Sequence, residues 1–188
     1  TVKSRGGRND TDRATKQSWK MPVVVLVNDG SASASEIVAS AIQENHRGLV
    51  IGDRTFGKAS VQTLYSPLSN NDYYIKLTVA RYYSPVGRTL QVVGVTPDIV
   101  VPPELGKKMP LGFREENLSR HLPPIVSKDA QPNAVYAKKI QDCVAKKGKA
   151  KRLHKNNPNP AIKFDYQLMY AADALECMRR VRWPEGQR

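Results

Sequence analysis

Apolar positions fall in blocks whose spacing changes along the chain, and each change predicts an element. Pro22-Val23-Val24-Val25-Leu26-Val27 is a continuous, mostly β-branched run closed by Asn28-Asp29-Gly30. Unbroken apolar character predicts a strand buried on both faces, as in a parallel sheet. Over 33–45 the spacing turns helical, with Ile37, Val38, Ala41 and Ile42 on one stripe, and Ser33-x-x-Glu36 fits a capping box. Gly48-Leu49-Val50-Ile51-Gly52 is a second short apolar strand. Together these blocks form a βαβ unit with a right-handed crossover, in which strands 23–27 and 49–52 lie parallel and adjacent.

The pattern then changes. Residues 55–62 lead into a strand over 61–68, Asn70-Asn71-Asp72 makes a turn, and 73–83 alternates. Tyr73, Ile75, Leu77 and Val79 fall on one side and Tyr74, Lys76, Thr78 and Ala80 on the other. Period two with a polar side predicts a half-exposed strand, antiparallel to its predecessor. Ser84-Pro85-Val86-Gly87 turns the chain, 95–101 offers one more short strand, and Pro102-Pro103 ends the block. Residues 1–20 are polar and turn-rich, read as a loop. Further on, 110–132 is loop-like with one weak helix, 134–145 is a basic helix and 155–160 a linker. The final helix, 165–180, has Leu168, Ala171, Ala172, Leu175 and Met178 on one face and Asp165 near its N-terminus. The division is therefore a loop (1–20), a core (21–103) and a tail (104–188).

Composition narrows the class. The chain has 188 residues, 40% hydrophobic and 25% charged, which suits one domain with a real core. No apolar run near the start approaches the roughly 20 residues that span a bilayer, and no basic-then-apolar leader precedes the first strand. Any signal peptide is expected to lie outside this chain. The net charge of +13 raises nucleic acid as a partner. Much of the excess, however, sits in Lys138, Lys139, Lys146, Lys147, Lys149, Lys151, Arg152 and Lys155, against one acid, Asp142. No aromatic interleaves them, so stacking platforms are missing and a solvated face is the plainer reading. Cys143 and Cys177 allow one disulfide or two thiols. They have no metal spacing with His46, His121 or His154, so a zinc site is not expected.

The stretch that bears chemistry is Gly30-Ser31-Ala32-Ser33-Ala34-Ser35-Glu36, between a buried strand and a helix. Serines at alternate positions put a hydroxyl at the helix N-terminus, where unpaired N–H groups favour negative charge. Ser33 also reads as a plain N-cap with Glu36 as its box partner. A serine nucleophile needs a base. His46 falls at the far end of the same helix, about 18 Å away at the helical rise, and His121 and His154 sit in irregular sequence. A lysine serves if burial keeps it neutral. Lys58, between Phe56-Gly57 and Ala59, follows the second strand of the βαβ unit, so it opens on the same sheet edge as Ser33. Gln62 shares its face if the segment is helical, where its amide would orient the lysine. A solvated loop lysine is the commoner alternative.

Four blocks, in order and with matching spacing, resemble the carboxyl-terminal processing (tail-specific) proteases: residues 28–37, 55–62, 80–88 and 94–98. The resemblance covers roughly 22–103. It implies a crotonase-like (ClpP/crotonase-type) α/β core of βα units with an antiparallel β portion and C-terminal helices. In that frame 1–20 opens a truncated catalytic domain. The resemblance places a nucleophile on Ser33, a general base on Lys58, a supporting amide on Gln62 and one oxyanion donor on the backbone N–H of Ala34. It implies protein or peptide substrates bound extended and cut near the C-termini of extracytoplasmic proteins. The strand over 73–83 or its neighbour would offer the pairing edge. It further implies an upstream PDZ domain, neither metal nor organic cofactor, and a periplasmic or otherwise extracytoplasmic location with membrane association open; whether the chain forms a homo-oligomer also stays open. In such a compartment Cys143 and Cys177 could pair, tying the basic helix to the final helix, but sequence does not fix their distance and two free thiols stay open. Two other classes stay open: a peptide-binding scaffold that does not cut, and a basic nucleic-acid module on 134–155.

Overall fold

The computed structural model describes residues 1–4, 7, 9–11, 20–66, 74–104, 112–124, 133–147 and 165–182. At its centre β3 (Val24–Val27), β4 (Leu49–Gly52) and β7 (Ile99–Val100) form a parallel sheet in the order β3-β4-β7. Val24 pairs with Leu49 and Val27 with Gly52, and α1 (Ala34–Glu44) makes the crossover between these strands. The predicted βαβ unit is present.

A second, antiparallel sheet has the order β2-β1-β6-β5. It consists of β1 (Val2–Ser4), β2 (Asn9–Asp10), β5 (Ser60–Tyr65) and β6 (Ile75–Tyr82). The opening residues are thus not only loop. Val2, Lys3 and Ser4 pair with Tyr82, Arg81 and Ala80, a strand too short to show alternation. Beyond the sheets come a short 3-10 helix (Glu115–Asn117), α2 (Ala134–Lys147) and α3 (Tyr166–Arg180). Asp165 caps α3 by accepting from Leu168 N–H at 2.9 Å.

β4 is buried along its whole length because apolar layers cover both of its faces. Leu49 and Ile51 join Ile99, Val101, Tyr136, Ala137, Ile140, Ala174, Cys177 and Met178 on the α2/α3 side. Val50 joins Val27, Ala39, Ala59, Leu90 and Val95 on the α1 side. β3 departs from the expected two-sided burial: it is a sheet edge, and Leu26 keeps 38% of its surface. α3 is rotated from its predicted face. Met169, Ala171, Asp173, Ala174, Cys177 and Met178 are buried, whereas Ala172 is exposed. The alternation of β6 is real, but Ile75 and Leu77 on its apolar side are 48% and 50% exposed, because the far half of the β5–β6 hairpin projects from the body. The predicted turn at Asn70-Asn71-Asp72 and the linker at 155–160 lie outside the described residues.

Cys143 of α2 and Cys177 of α3 form a disulfide with Cα atoms 6.1 Å apart. Asp98 fastens the far side of the βαβ unit. Its half-buried carboxylate accepts from Val50 N–H at 2.8 Å and Gln43 Nε2 at 3.1 Å, and Asn133 Nδ2, at the start of α2, reaches it at 3.4 Å. Burial pushes this carboxyl above its ordinary range, and these hydrogen bonds pull it partway back. No helix among the described residues is long and apolar enough to cross a membrane.

Candidate active site

β3 and β4 run parallel and in register, so both chain segments that leave them emerge at one edge of the sheet. After β3, Asn28 and Ser31 close a tight turn: Ser31 N–H donates to Asn28 O at 2.9 Å, and Asn28 N–H donates to Ser31 Oγ at 3.1 Å. The Ser31 hydroxyl is therefore occupied. Two residues later Ser33 takes up the N-cap position of α1 with φ 54 and ψ −111. A positive φ is strained for a side chain with a Cβ, at about 1–3 kcal/mol. Such sharp strand-to-helix turns present a side chain outward at the head of a sheet. Among the described residues nothing accepts a hydrogen bond from the Ala34 N–H, the first amide of the helix. That donor, and the positive end of the α1 dipole, face the same edge as Ser33.

The segment after β4 carries Lys58, six residues beyond the strand rather than at its end. It is held almost atom by atom. Phe56 N–H donates to Ser31 O at 2.9 Å, Val92 N–H to Gly57 O at 2.7 Å, and Tyr82 N–H to Ala59 O at 2.8 Å. Gly57 has φ +94, and a Cβ there would lie 2.7 Å from Val92 O, so only glycine fits.

Glu36 joins the two segments. Its Oε2 accepts from Ser33 N–H at 2.9 Å and from Lys58 N–H at 2.8 Å. One oxygen thus holds the backbone nitrogens of both residues closer than the sum of those two distances. Its Oε1 accepts from Gly57 N–H at 2.7 Å and from the Thr55 hydroxyl. Burial pushes the Glu36 carboxyl above its ordinary value, and the four hydrogen bonds pull it partway back. Of the expected capping box the Glu36 half is present, its carboxylate accepting from Ser33 N–H, while the Ser33 side chain makes no cap hydrogen bond; capping is only half of what Glu36 does. The sequence did carry the signal of an acid at N3. The reach to Thr55, Gly57 and Lys58 has no local signature.

Ser33 and Lys58 are therefore brought together as backbone neighbours. Their side chains are not hydrogen-bonded to one another, and Lys58 Nζ has no hydrogen-bond or ion-pair partner among the described residues. Gln62 departs from expectation. It lies in strand β5, not on a helix, so helical spacing from Lys58 does not apply. Val61 pairs with Ala80 and Gln62 with Thr78, so Val79 is passed over and the register shifts at this point. Gln62 is exposed and makes no hydrogen bond to Lys58 among the described residues. The histidines stand elsewhere: His46 Nδ1 bonds Asn133 Oδ1 at 2.7 Å, His121 Nδ1 bonds Leu118 O at 2.9 Å, and His154 lies outside the described residues. In the basic run, Lys138 pairs with Asp142 at 2.9 Å and Lys147 with Glu176 at 2.7 Å, so part of its charge is met within the fold.

Comparison with known proteins bears on the same residues. The model of peptidase family S41 matches residues 1–101, which include Ser33, Glu36, Lys58 and Gln62. The carboxy-terminal-processing protease of Bartonella bacilliformis is 48% identical over 104 residues, covering 54% of this chain and 24% of that protein. The chloroplastic C-terminal processing peptidase of Tetradesmus obliquus is 45% identical over 97 residues, covering 52% of this chain and 19% of that one. Among solved structures, a photosystem II D1 C-terminal processing protease aligns with TM-score 0.41 at 48% identity, over 45% of this chain and 21% of that one. The chain spans about a quarter or less of the length of these relatives. With a family match over more than half its residues, and carboxyl-terminal processing proteases among its relatives, the chain belongs to peptidase family S41.

Proposed function

We propose that this chain is the carboxyl-terminal part of a serine endopeptidase that cuts near the C-termini of extracytoplasmic proteins, through Ser33 and Lys58. The observation that carries this reading is the Glu36 carboxylate holding both backbone nitrogens on one oxygen. The amine form of Lys58 takes the Ser33 proton as Oγ attacks the scissile carbonyl. The charge that develops on the carbonyl oxygen falls to the Ala34 N–H and the α1 dipole. Lys58 passes the proton to the leaving amine and then activates the water that releases the acyl group. Gln62 supports Lys58 once a substrate lies along its strand. β6 is paired on both sides, by β1 and β5, so the open edge for an extended substrate is the outer side of β5. A crotonase-like core, with 21–103 as its centre, is part of the same proposal. The disulfide and the bacterial and chloroplastic relatives support an extracytoplasmic or lumenal setting.

The test is cleavage of an unstructured C-terminal peptide by the full-length protein. Ser33→Ala and Lys58→Ala each abolish it, as does Lys58→Arg, since a guanidinium cannot accept the proton. Gln62→Ala lowers it, and His46→Ala, His121→Ala and His154→Ala leave it intact, in contrast to a Ser-His-Asp triad. Full turnover by Lys58→Ala overturns the mechanism. The unformed Ser33–Lys58 hydrogen bond favours one second reading, a scaffold that binds peptide without cutting it. That reading requires peptide binding with no turnover in the wild type.

A further inference from the structure

Downstream of the family match, residues 112–117 lie back across both segments that carry Ser33 and Lys58. A Cβ at Gly112 would lie 2.2 Å from Asp29 Oδ2, so this residue rests directly on the turn that leads to Ser33. Glu115 N–H donates to Phe56 O at 3.0 Å. Its side chain is buried, and its Oε1 accepts from Gln91 Nε2 at 2.7 Å. At its other end the Gln91 amide accepts from Ala59 N–H at 2.9 Å. Gln91 is fully buried. The Glu115 carboxylate accepts only, so it fixes which end of the Gln91 amide is nitrogen and turns the oxygen to Ala59. On the outer side the Arg114 guanidinium reaches Asp53 Oδ2 at 2.9 Å and Arg54 O at 3.3 Å, and Arg54 pairs with Glu116.

We infer that residues 112–117 act as a strap, and that Glu115 is a positioning residue for Lys58. Glu36 holds the Lys58 N–H itself. Through Gln91, Glu115 holds the next N–H along the chain. The two carboxylates thus hold two successive backbone N–H groups, those of Lys58 and Ala59, and so fix the point from which the Lys58 side chain sets out. Without Glu115 the Gln91 amide can rotate, Ala59 N–H loses its acceptor, and the base drifts. A misplacement of about 1 Å can cost a hundredfold in rate.

The inference rests on Ser33 and Lys58 being the reacting pair, and the experiment separates the two claims. In the full-length protein, three rates are followed for wild type, Glu115→Ala, Glu115→Gln and Glu115→Asp: phosphonylation of Ser33 by a fluorophosphonate, steady-state cleavage of an unstructured peptide, and hydrogen exchange of the Ala59 amide. Glu115→Ala is expected to slow phosphonylation roughly tenfold or more, to lower kcat with KM unchanged, and to speed Ala59 exchange. Glu115→Gln retains an oxygen that can accept from Gln91, so it restores all three toward wild type. A Glu115→Ala protein that labels and exchanges at wild-type rates overturns the inference, as does a Glu115→Gln protein as impaired as the alanine variant. Should Glu115→Ala not fold, Glu115→Asp, which draws the carboxylate back from Gln91 while keeping its charge, decides by the same measurements: slower phosphonylation with faster Ala59 exchange supports the inference, and wild-type values overturn it. If wild type is never labelled at Ser33, the reading of the reacting pair falls. Ala59 exchange then decides the strap alone, faster in Glu115→Ala if it holds and unchanged if it does not.

Discussion

Ser33 stands at the N-cap of α1, yet its side chain makes no capping hydrogen bond, and its φ of 54 costs about 1–3 kcal/mol. Glycine removes the strain and is itself a tolerated N-cap, so Ser33→Gly should melt higher than wild type by about 2–4 °C, while Ser33→Ala keeps the strain and should melt close to wild type. Neither should turn over peptide. A Ser33→Gly protein that melts lower would mean that the backbone here is unstrained. Glu36 makes a second prediction. Its carboxyl is raised by burial, so the folded protein binds this proton more tightly than the unfolded chain does. Stability from this group is therefore full below its ordinary value of 4.5 and declines as pH rises through the folded value. In Glu36→Gln the titration is gone, but the amide nitrogen must face at least one backbone N–H, so the variant is less stable throughout. Melting both proteins across pH should show the wild-type advantage shrinking as pH climbs above 4.5. A widening gap contradicts the assigned direction.

Elements with a strong period were legible, and those set by distant partners were not. The αβ crossover could be read because β-branched runs and a capped amphipathic stripe specify strand and helix locally. The bounds of α3 were equally plain, with Asp165 as its cap, although its buried face was shifted. Three residues of β1 cannot show a period, and β1 exists because β6 offers it an edge. The helical condition placed on Gln62 fails for a related reason. Its segment pairs with β6 as a strand, where residues four apart share a face but lie about 13 Å apart, and the register shift at Val61 and Gln62 leaves even that alternation broken. Ser33 and Lys58 could be found because motif and topology coincide. The reach of Glu36 to Thr55, Gly57 and Lys58, and the roles of Gln91 and Glu115, could not, because those partners lie 19 to 32 residues away or belong to the tail. The α2–α3 pair carries a prediction of its own. Its disulfide closes a loop with a sequence separation of 34. The chain-entropy model values such a link at about 3–4 kcal/mol. Cys143→Ser with Cys177→Ser, or reduction of the wild type, should lower the unfolding free energy by about that amount in denaturant titrations. It should also speed exchange in α2 and α3 before β4. An unchanged midpoint would show that helix packing alone sets the stability.

At the scale of the molecule, the family match and the hydrophobic core end in different places. The match stops at residue 101, whereas the apolar layer under β4 is completed by Tyr136, Ala137, Ile140, Ala174, Cys177 and Met178. Asn133 adds a polar fastening, since its side-chain amide donates to Gln43 O at 3.1 Å and contacts Asp98 at 3.4 Å. Residues beyond the match thus cover one whole face of the central sheet, and residues 112–117 brace the edge that carries Ser33 and Lys58 from the same tail. Cutting the chain after Pro103 would open Leu49, Ile51, Ile99 and Val101 to water, each now 2% exposed or less. Burying a side chain of that size contributes about 1.5–3 kcal/mol. Four of them come to about 6–12 kcal/mol, comparable to the whole 5–15 kcal/mol by which ordinary domains are stable, before the disulfide is counted. Residues 1–103 expressed alone should therefore bind a hydrophobic dye and melt without a cooperative transition, while residues 1–188 melt in one step. Adding 104–188 as a separate chain should restore the transition only in part, since association then carries the entropic cost that the covalent link avoids. Cooperative melting of 1–103 near the temperature of the whole chain would show that the tail is an accessory layer and not part of the core.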